Sequence, residues 1–551
     1  GRIPIVWSGT QNSGLFGYAI CTEGDYNADG MYDMVASSMY YDISGKTNAG
    51  AVFVYPGASE LIQANTDVQA PFILYGEGNT NEFGSSLSFA DVNGDGFDDL
   101  LIGARAYNGN AHTSTGFAYI YYGSENGISA QYGAKFTGVQ LGENFGYQVK
   151  GIGDVNGDGF EDMAVGSVFY DASGSGFAGR IYVFHGSASG IASKSADQAD
   201  AIITGAYPRN QLGYVIIRRV GDINNDGYDD ILASGGDDAY TVGQAYVFFG
   251  SATGVGTRTT LESDVLFTAP VANSRYAIGL AGGRDINGDG YKDFAIGEAQ
   301  LKRFHIYFGT EQGWSNTPDV TIQGSETFFG NRLKMVDINQ DHIFDILAST
   351  YNGAPDTGAV YIIYGKDNIV SGNIQDVADD VYVTHQPNYF HPTDGPSVFV
   401  DAEREMYLTI PSATANNKGE VYFFDLCREF NPYVQLGFGG VPIQQIIADS
   451  TTSNEQLLQS NAEPSLMRAF PNPYVGSTTI ELTTTQLGRA KLEVFNTAGQ
   501  KVAELTNTVL PIGKYTVEFS AQKAGMSAGL YTIVLTSSDN VEVMRVFELG
   551  D

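Results

Sequence analysis

The sequence predicts an all-β chain: a seven-bladed β-propeller with calcium-binding loops, followed by a small C-terminal β-sandwich. Three observations predict it. An acidic nine-residue loop recurs at a nearly fixed period, aromatic strands recur around it in a fixed order, and the pattern stops near residue 430.

The loop reads Asp91-Val-Asn93-Gly-Asp95-Gly96-Phe97-Asp-Asp99, with oxygen-bearing side chains at positions one, three, five and nine and the Phe97 carbonyl at seven. Calcium takes oxygen ligands in this spacing, and glycine at position six permits the positive φ that turns the chain around the ion. Further copies place ligands at Asp25, Asn27, Asp29, Met31 and Asp33, at Asp154, Asn156, Asp158, Phe160 and Asp162, and at Asp222, Asn224, Asp226, Tyr228 and Asp230. Two more use Asp285, Asn287, Asp289, Tyr291 and Asp293, and Asp337, Asn339, Asp341, Ile343 and Asp345. The opening aspartates lie 66, 63, 68, 63 and 52 residues apart, a period that marks a repeat architecture.

Asp, Asn and Gly are also ordinary turn residues. Three aspartates converging in each of six equivalent places repel unless neutralised, however, which favours a structural cation. The sixth loop departs, because His342 stands where glycine is expected and must take or avoid a left-handed backbone. Asp401-Ala-Glu403-Arg404-Glu405 is a worn seventh copy, with Met406 at the glycine position and Thr409 at the ninth. Five or six Ca²⁺ ions are therefore expected, and none at Asp401.

Each repeat carries four strands, as a propeller blade does. In the second copy they are Phe72 to Gly76, Phe83 to Phe89, Leu100 to Ala104 and Gly116 to Gly123, and this unit is read as one blade. A Phe-Gly pair opens the strand before the loop at Phe16-Gly17, Phe83-Gly84, Phe145-Gly146 and Phe329-Gly330, with Leu212-Gly213 as a near copy; unit five departs as Arg275-Tyr-Ala-Ile-Gly279. The last repeat ends without an outer strand, and the chain starts with an orphan one, Ile3 to Trp7. The first strand is expected to complete the last blade and hide its edge. Cys21 and Cys427 would then lie in adjoining blades, as a seam disulfide or as two separate thiols.

Phe-Gly, an acidic cage and then Gly-Ala-Val-Tyr resemble the FG-GAP repeat of the integrin α-subunit head over roughly residues 1 to 426. The resemblance implies a seven-bladed propeller with calcium in some blades. Residues 1–430 are assigned to it, 431–466 to a polar linker and 467–551 to a sandwich. In the tail, Pro471-Asn-Pro-Tyr474, Leu492-Glu-Val-Phe-Asn496 with the turn Thr497-Ala-Gly499, and Gly529-Leu-Tyr531 resemble the C-terminal sorting domain of the type IX secretion system of Bacteroidetes-type bacteria. That implies handling by the secretion machinery and delivery to the outer cell surface or medium.

Composition narrows the partners. Twenty-nine basic against 63 acidic residues give a net charge of −34, and six calcium ions would still leave about −22. Nucleic acid and anionic membrane surfaces are thereby disfavoured. No apolar run is long enough to insert into a membrane. The opening at Gly1 fits a mature form from which a leader has been removed. The six histidines form no metal pair at helical spacing, and there is no nucleophile elbow, phosphate loop or zinc spacing. His185 and His305 read as core or blade-face residues, Trp7 as seam core, and Tyr40, Tyr41, Tyr107 and Tyr170 as loop residues that could serve as sugar platforms. The expected function is a calcium-dependent adhesion or binding module for an extracellular protein or glycan. A carbohydrate- or lipid-active enzyme is the first alternative, and a self-assembling subunit of an extracellular filament or surface layer is the second.

Overall fold

The computed structural model describes residues 5–57, 70–105, 114–172, 176–216, 219–235, 243–271, 273–339, 341–350, 358–384, 397–400, 406–412, 420–425, 467–470, 478–484, 488–496, 501–510, 513–521, 523, 529–536 and 541–548. The chain divides into two compact units, Gly1–Cys427 and Arg428–Asp551. Cys427, Tyr107, the copy at Asp401–Glu405 and the polar segment 431–466 lie outside the described residues; Cys21 is a buried free thiol.

In the first unit the described strands form seven sheets, antiparallel except for a two-residue parallel strand at the outer edge of the second, third and fifth. The first holds Phe16–Gly24, Asp33–Ser38, Ala51–Tyr55 and Phe72–Tyr75 in that order. Phe72–Tyr75 thus pairs with Ala51–Tyr55, Phe53 opposite Ile73, and belongs to the sheet of the preceding repeat. The sequence unit running from Phe72 to Gly123 is therefore out of phase with a sheet by one strand. A hairpin to the preceding strand is a local contact, and that wins over the repeat boundary drawn from the motif.

The same displacement closes the seventh sheet. Ile5–Ser8 pairs with Glu420–Asp425, Trp7 opposite Val421, beside Met406–Ser412 and Ser397–Val400. Trp7 is fully buried, its ring 4.8 Å from Tyr55 and 4.6 Å from Phe423. This bears out the expected edge closure. The first strands of sheets one to six pack in succession, and that of the first sheet also packs on Ser397–Val400. Lys334, in the first strand of the sixth sheet, pairs with Glu23 in that of the first.

The glycine motifs are the seams between neighbouring sheets. Phe16, Phe83, Phe145, Leu212 and Phe329 are buried, and the glycine after each has a positive φ of 80° to 90°. A Cβ at Gly116 would stand 2.1 Å from the Phe145 carbonyl, and one at Gly50 2.2 Å from that of Phe83. The departure in unit five keeps this geometry with other residues: Tyr276 takes the phenylalanine seat, Ala277 the glycine seat at φ 63°, and Lys302 sits left-handed at φ 55°.

In the second unit the described strands form two sheets. One is Met467–Phe470, Thr478–Thr484 and Gly513–Phe519; the other orders Lys501–Leu510, Gly488–Phe495, Gly529–Thr536 and Val541–Glu548. Ile480, Leu492, Val494, Phe519 and Ile533 are buried, and Phe519 meets Tyr531 edge-on across the sheets at 5.8 Å. Lys501–Leu510 carries polar residues without clean alternation, and its Val502 is exposed.

Candidate metal loops

The six loops sit in the same place in sheets one to six, between the first and second strands, and share one conformation over their described residues. In the second, the Asp91 carboxylate accepts the N–H of Asp95 (3.1 Å) and Gly96 (2.9 Å). Asn93 donates to Asp95 Oδ2 at 2.9 Å, and Asp95 Oδ1 accepts the Phe97 N–H at 3.0 Å. The glycine at position six has φ between 83° and 95° in five loops, with open space where a Cβ would point. His342 adopts φ 69°, and its N–H donates to Asp337 Oδ2 at 3.0 Å as the glycine amides do. It thus accepts the left-handed backbone, and its ring is exposed.

The ninth aspartate stands apart from the side chains at positions one, three and five. Asp99 is fully buried; Oδ2 accepts the Val92 N–H at 3.1 Å and Oδ1 that of Gly123 at 3.0 Å. Asp33 does the same with Tyr26 and Gly57, Asp162 with Val155 and Gly186, and Asp230 with Ile223 and Gly250. Asp293 holds Ile286 and Gly309, and Asp345 holds Ile338 and Gly365. Each therefore ties its loop to the turn after the third strand. Burial chiefly, then the charges at positions one and five, pushes Asp99 and Asp162 up to about 8 and Asp33, Asp230, Asp293 and Asp345 up to about 7, against the two amides that oppose the shift.

Successive loops are also joined. The N–H at position eight donates to the position-one carbonyl of the preceding loop: Asp98 to Asp25 (3.1 Å), Glu161 to Asp91 (3.2 Å), Asp229 to Asp154 (3.0 Å) and Phe344 to Asp285 (3.0 Å). Arg219 binds Asp98 at 2.8 Å and Glu161 at 2.7 Å, bracing the second and third loops. Position four is left-handed too in the first five loops, and a Cβ at Gly94 would strike the Phe160 ring at 2.8 Å. The glycines at 57, 123, 186, 250, 309 and 365 were the missed partners; their signal is one glycine just after every aromatic third strand.

Each donor set fits a hard cation: two or three carboxylates, an amide oxygen, a backbone carbonyl, and no nitrogen or sulfur. Among the described residues no group of three or more His, Cys, Asp or Glu side chains stands at metal-holding spacing. The carboxylates are turned onto the loop's own amides, each oxygen keeping a second lone pair.

His305 is a satisfied core residue, 2.9 Å from Thr321 Oγ1 and 3.0 Å from buried Glu298. Nε2 of His185 is buried without a partner. Tyr41 packs on Phe53, and Tyr170 lies under Arg180 with 3.6 Å from guanidinium to ring centre. Both are thus engaged in packing, and among the described residues the exposed aromatic rings are instead Tyr32, Tyr75, Tyr132, Phe177, Tyr207 and Tyr291. No described helix is long and apolar enough to cross a membrane.

Repeats of buried Phe-Gly seams and oxygen-lined loops define a class, and the FG-GAP repeat model matches residues 16–55, 83–121 and 145–184. The chain carries FG-GAP repeats and, at residues 468–547, a secretion system C-terminal sorting domain. Similar proteins include integrin alpha-5 of Xenopus laevis, 28% identical over 39% of this chain and 19% of its own length, and integrin alpha-6 of Gallus gallus, 32% identical over 34% and 17%. Phosphatidylinositol-glycan-specific phospholipase D of Bos taurus is 31% identical over 35% of this chain and 24% of its own. The matched part therefore spans about a fifth of these curated relatives.

Proposed function

We propose that the first unit is a closed seven-bladed propeller, held by calcium in its first six blades, and that it acts as a binding module delivered to the cell surface or medium by the type IX secretion machinery. The single observation that carries the calcium reading is the repetition of one loop conformation six times, including the loop where His342 must adopt it at a steric cost. At that seat His342 keeps the amide hydrogen bond to the position-one carboxylate that the glycines make in the other loops. Sheets one to six packing in succession, with the seventh sheet on the first and completed by the N-terminal strand, support closure. The ions would be structural, gathered by Asp91, Asn93, Asp95, the Phe97 carbonyl and Asp99 and their equivalents.

Binding rests on the FG-GAP repeats and the sorting domain together. In antiparallel sheets the turns between second and third strands project from the end opposite the acidic loops, so a contact surface there is free to vary without disturbing the ligands. Elemental analysis of purified protein, with melting curves in millimolar calcium and in chelator, tests the ions. A protein and glycan array probed in both conditions tests the binding. An unchanged melting curve with no metal found refutes the first reading, and an empty array in calcium refutes the second.

A further inference from the structure

We propose that the outer edge of the fourth sheet is a strand-addition site for an extended, Ser/Thr-rich polypeptide segment of a partner protein. The chain itself shows what such an edge accepts. In sheets two, three and five the outer strand is covered by a two-residue parallel strand from the next repeat: Lys194–Ser195 on Phe136 and Thr137, Arg258–Thr259 on Ile203 and Thr204, and Gly372–Asn373 on Ile322 and Gln323. Just before each pair a hydroxyl accepts an outward edge N–H. Ser193 takes that of Lys135 (2.9 Å), Thr257 that of Ile202 (3.1 Å) and Ser371 that of Thr321 (2.9 Å). The covering segments share a pattern: a hydroxyl residue, any residue, then Ser, Thr or Asn, and three positions later Gln198, Glu262 or Asp376. Gln198 accepts the Ser195 N–H and Glu262 the Thr259 N–H, ending the strand in a single helical turn.

The fourth sheet lacks this cover for a reason visible in the chain. Its covering segment would come from unit five, where Thr310–Asp319 replaces a stretch equivalent to Ser251–Asp264 and is four residues shorter. What remains turns on itself, Thr310 and Gly313 exchanging hydrogen bonds of 3.1 and 2.9 Å and Thr317 N–H donating to Ser315 Oγ at 3.0 Å. The outer strand is Val265–Thr268, with Leu266 opposite Tyr246. Because Ala269 N–H donates inward to Gly243, strand alternation turns the N–H and C=O of Leu266 and Thr268 outward. Nothing among the described residues pairs with them. Leu266 is 39% exposed and Thr268 is exposed, whereas their equivalents under cover, Ile202 and Thr204, are half-buried.

An edge with unpaired outward groups and an exposed leucine is a template for another strand. Parallel pairing, a hydroxyl for the Leu266 N–H and a Gln or Glu to close the turn specify the incoming segment. This surface is independent of the calcium reading, and it selects a polypeptide ligand over a glycan.

The probe is a fluorescein-labelled peptide copying residues 256–264, titrated onto the full chain up to about 1 mM, a range suited to weak strand pairing. Saturable binding is expected, with slowed hydrogen exchange at Leu266 and Thr268. Leu266→Pro removes the outward donor and should weaken binding at least about ten-fold. Should that variant melt early, grafting the Ser251–Asp264 sequence in place of Thr310–Asp319 covers the edge in cis and should abolish binding. No saturable binding, equal binding of a scrambled peptide, or full binding by the grafted variant overturns the proposal. Peptide-free dimers that Leu266→Pro dissolves overturn it in favour of a second copy as the occupant.

Discussion

Sheets one to six and sheet seven are held together by different means. In each of the six, a buried ninth-position aspartate joins the loop between the first and second strands to the turn after the third. The seventh is completed by a strand from the other end of the chain, with Trp7 sealed between Tyr55 and Phe423. One device is polar and local and repeats; the other is apolar and joins the two ends of the unit. The difference teaches that cohesion can be transferred from a charged loop to a buried aromatic when the chain can bring its ends together.

The largest effect should come from breaking the apolar device. Trp7→Ala removes a fully buried indole and should cost about 3–5 kcal/mol, and deleting residues 1–8 should cost more and expose the edge of Glu420–Asp425. Urea unfolding of the first unit measures both; a loss under about 1 kcal/mol for Trp7→Ala would show that the seam is dispensable.

Next comes the polar device. Asp99→Ala leaves the Val92 and Gly123 amides without their acceptor, each worth about 1–3 kcal/mol when buried. The pH dependence sharpens this. Folded-state values of about 7 to 8, raised from 3.8, mean that the folded chain holds protons which the unfolded chain has released. In chelator, this contribution to stability is therefore full below about pH 4 and is lost as pH rises through 7 to 8. The proposed calcium ions would take the same carboxylates, so millimolar calcium should abolish that decline and bind more tightly at pH 8 than at pH 5. Melting curves across this range, with and without calcium, check it; parallel curves would contradict the role of the ninth aspartate as a ligand.

A smaller change is expected within the six. His342→Gly relieves a left-handed histidine and should stabilise by roughly 1 kcal/mol, an increase visible in the urea midpoint. Smallest of all is Asp401→Ala, in the worn copy, which should fall within about 0.5 kcal/mol because no ion is expected there. A calcium-dependent loss at Asp401 would erase the contrast between the seventh sheet and the rest.

Much of this was legible in the residues themselves. Side-chain alternation and the recurrence of Phe-Gly, acidic loop and aromatic strand are local properties, so the four strands per repeat, the six loops and most strands of the tail could be read directly. The pairing of Ile5–Ser8 with the last repeat was also readable, as a surplus strand at one end and a missing one at the other. Three matters depended on the assembled sheets. Phe72–Tyr75 joins the preceding repeat because hydrogen-bond register, rather than motif boundaries, assigns a strand. The ninth aspartate is a clamp because Gly123 and its counterparts, 16 to 24 residues away, arrive beside it only when the second and third strands pair. The open edge at Leu266 follows from a four-residue shortening whose consequence appears one sheet away. Sequence determines what a segment is able to form, through spacing and side-chain chemistry. Which backbone groups remain unpaired is decided only in the tertiary structure, because pairing is a property of neighbours that are distant in the chain.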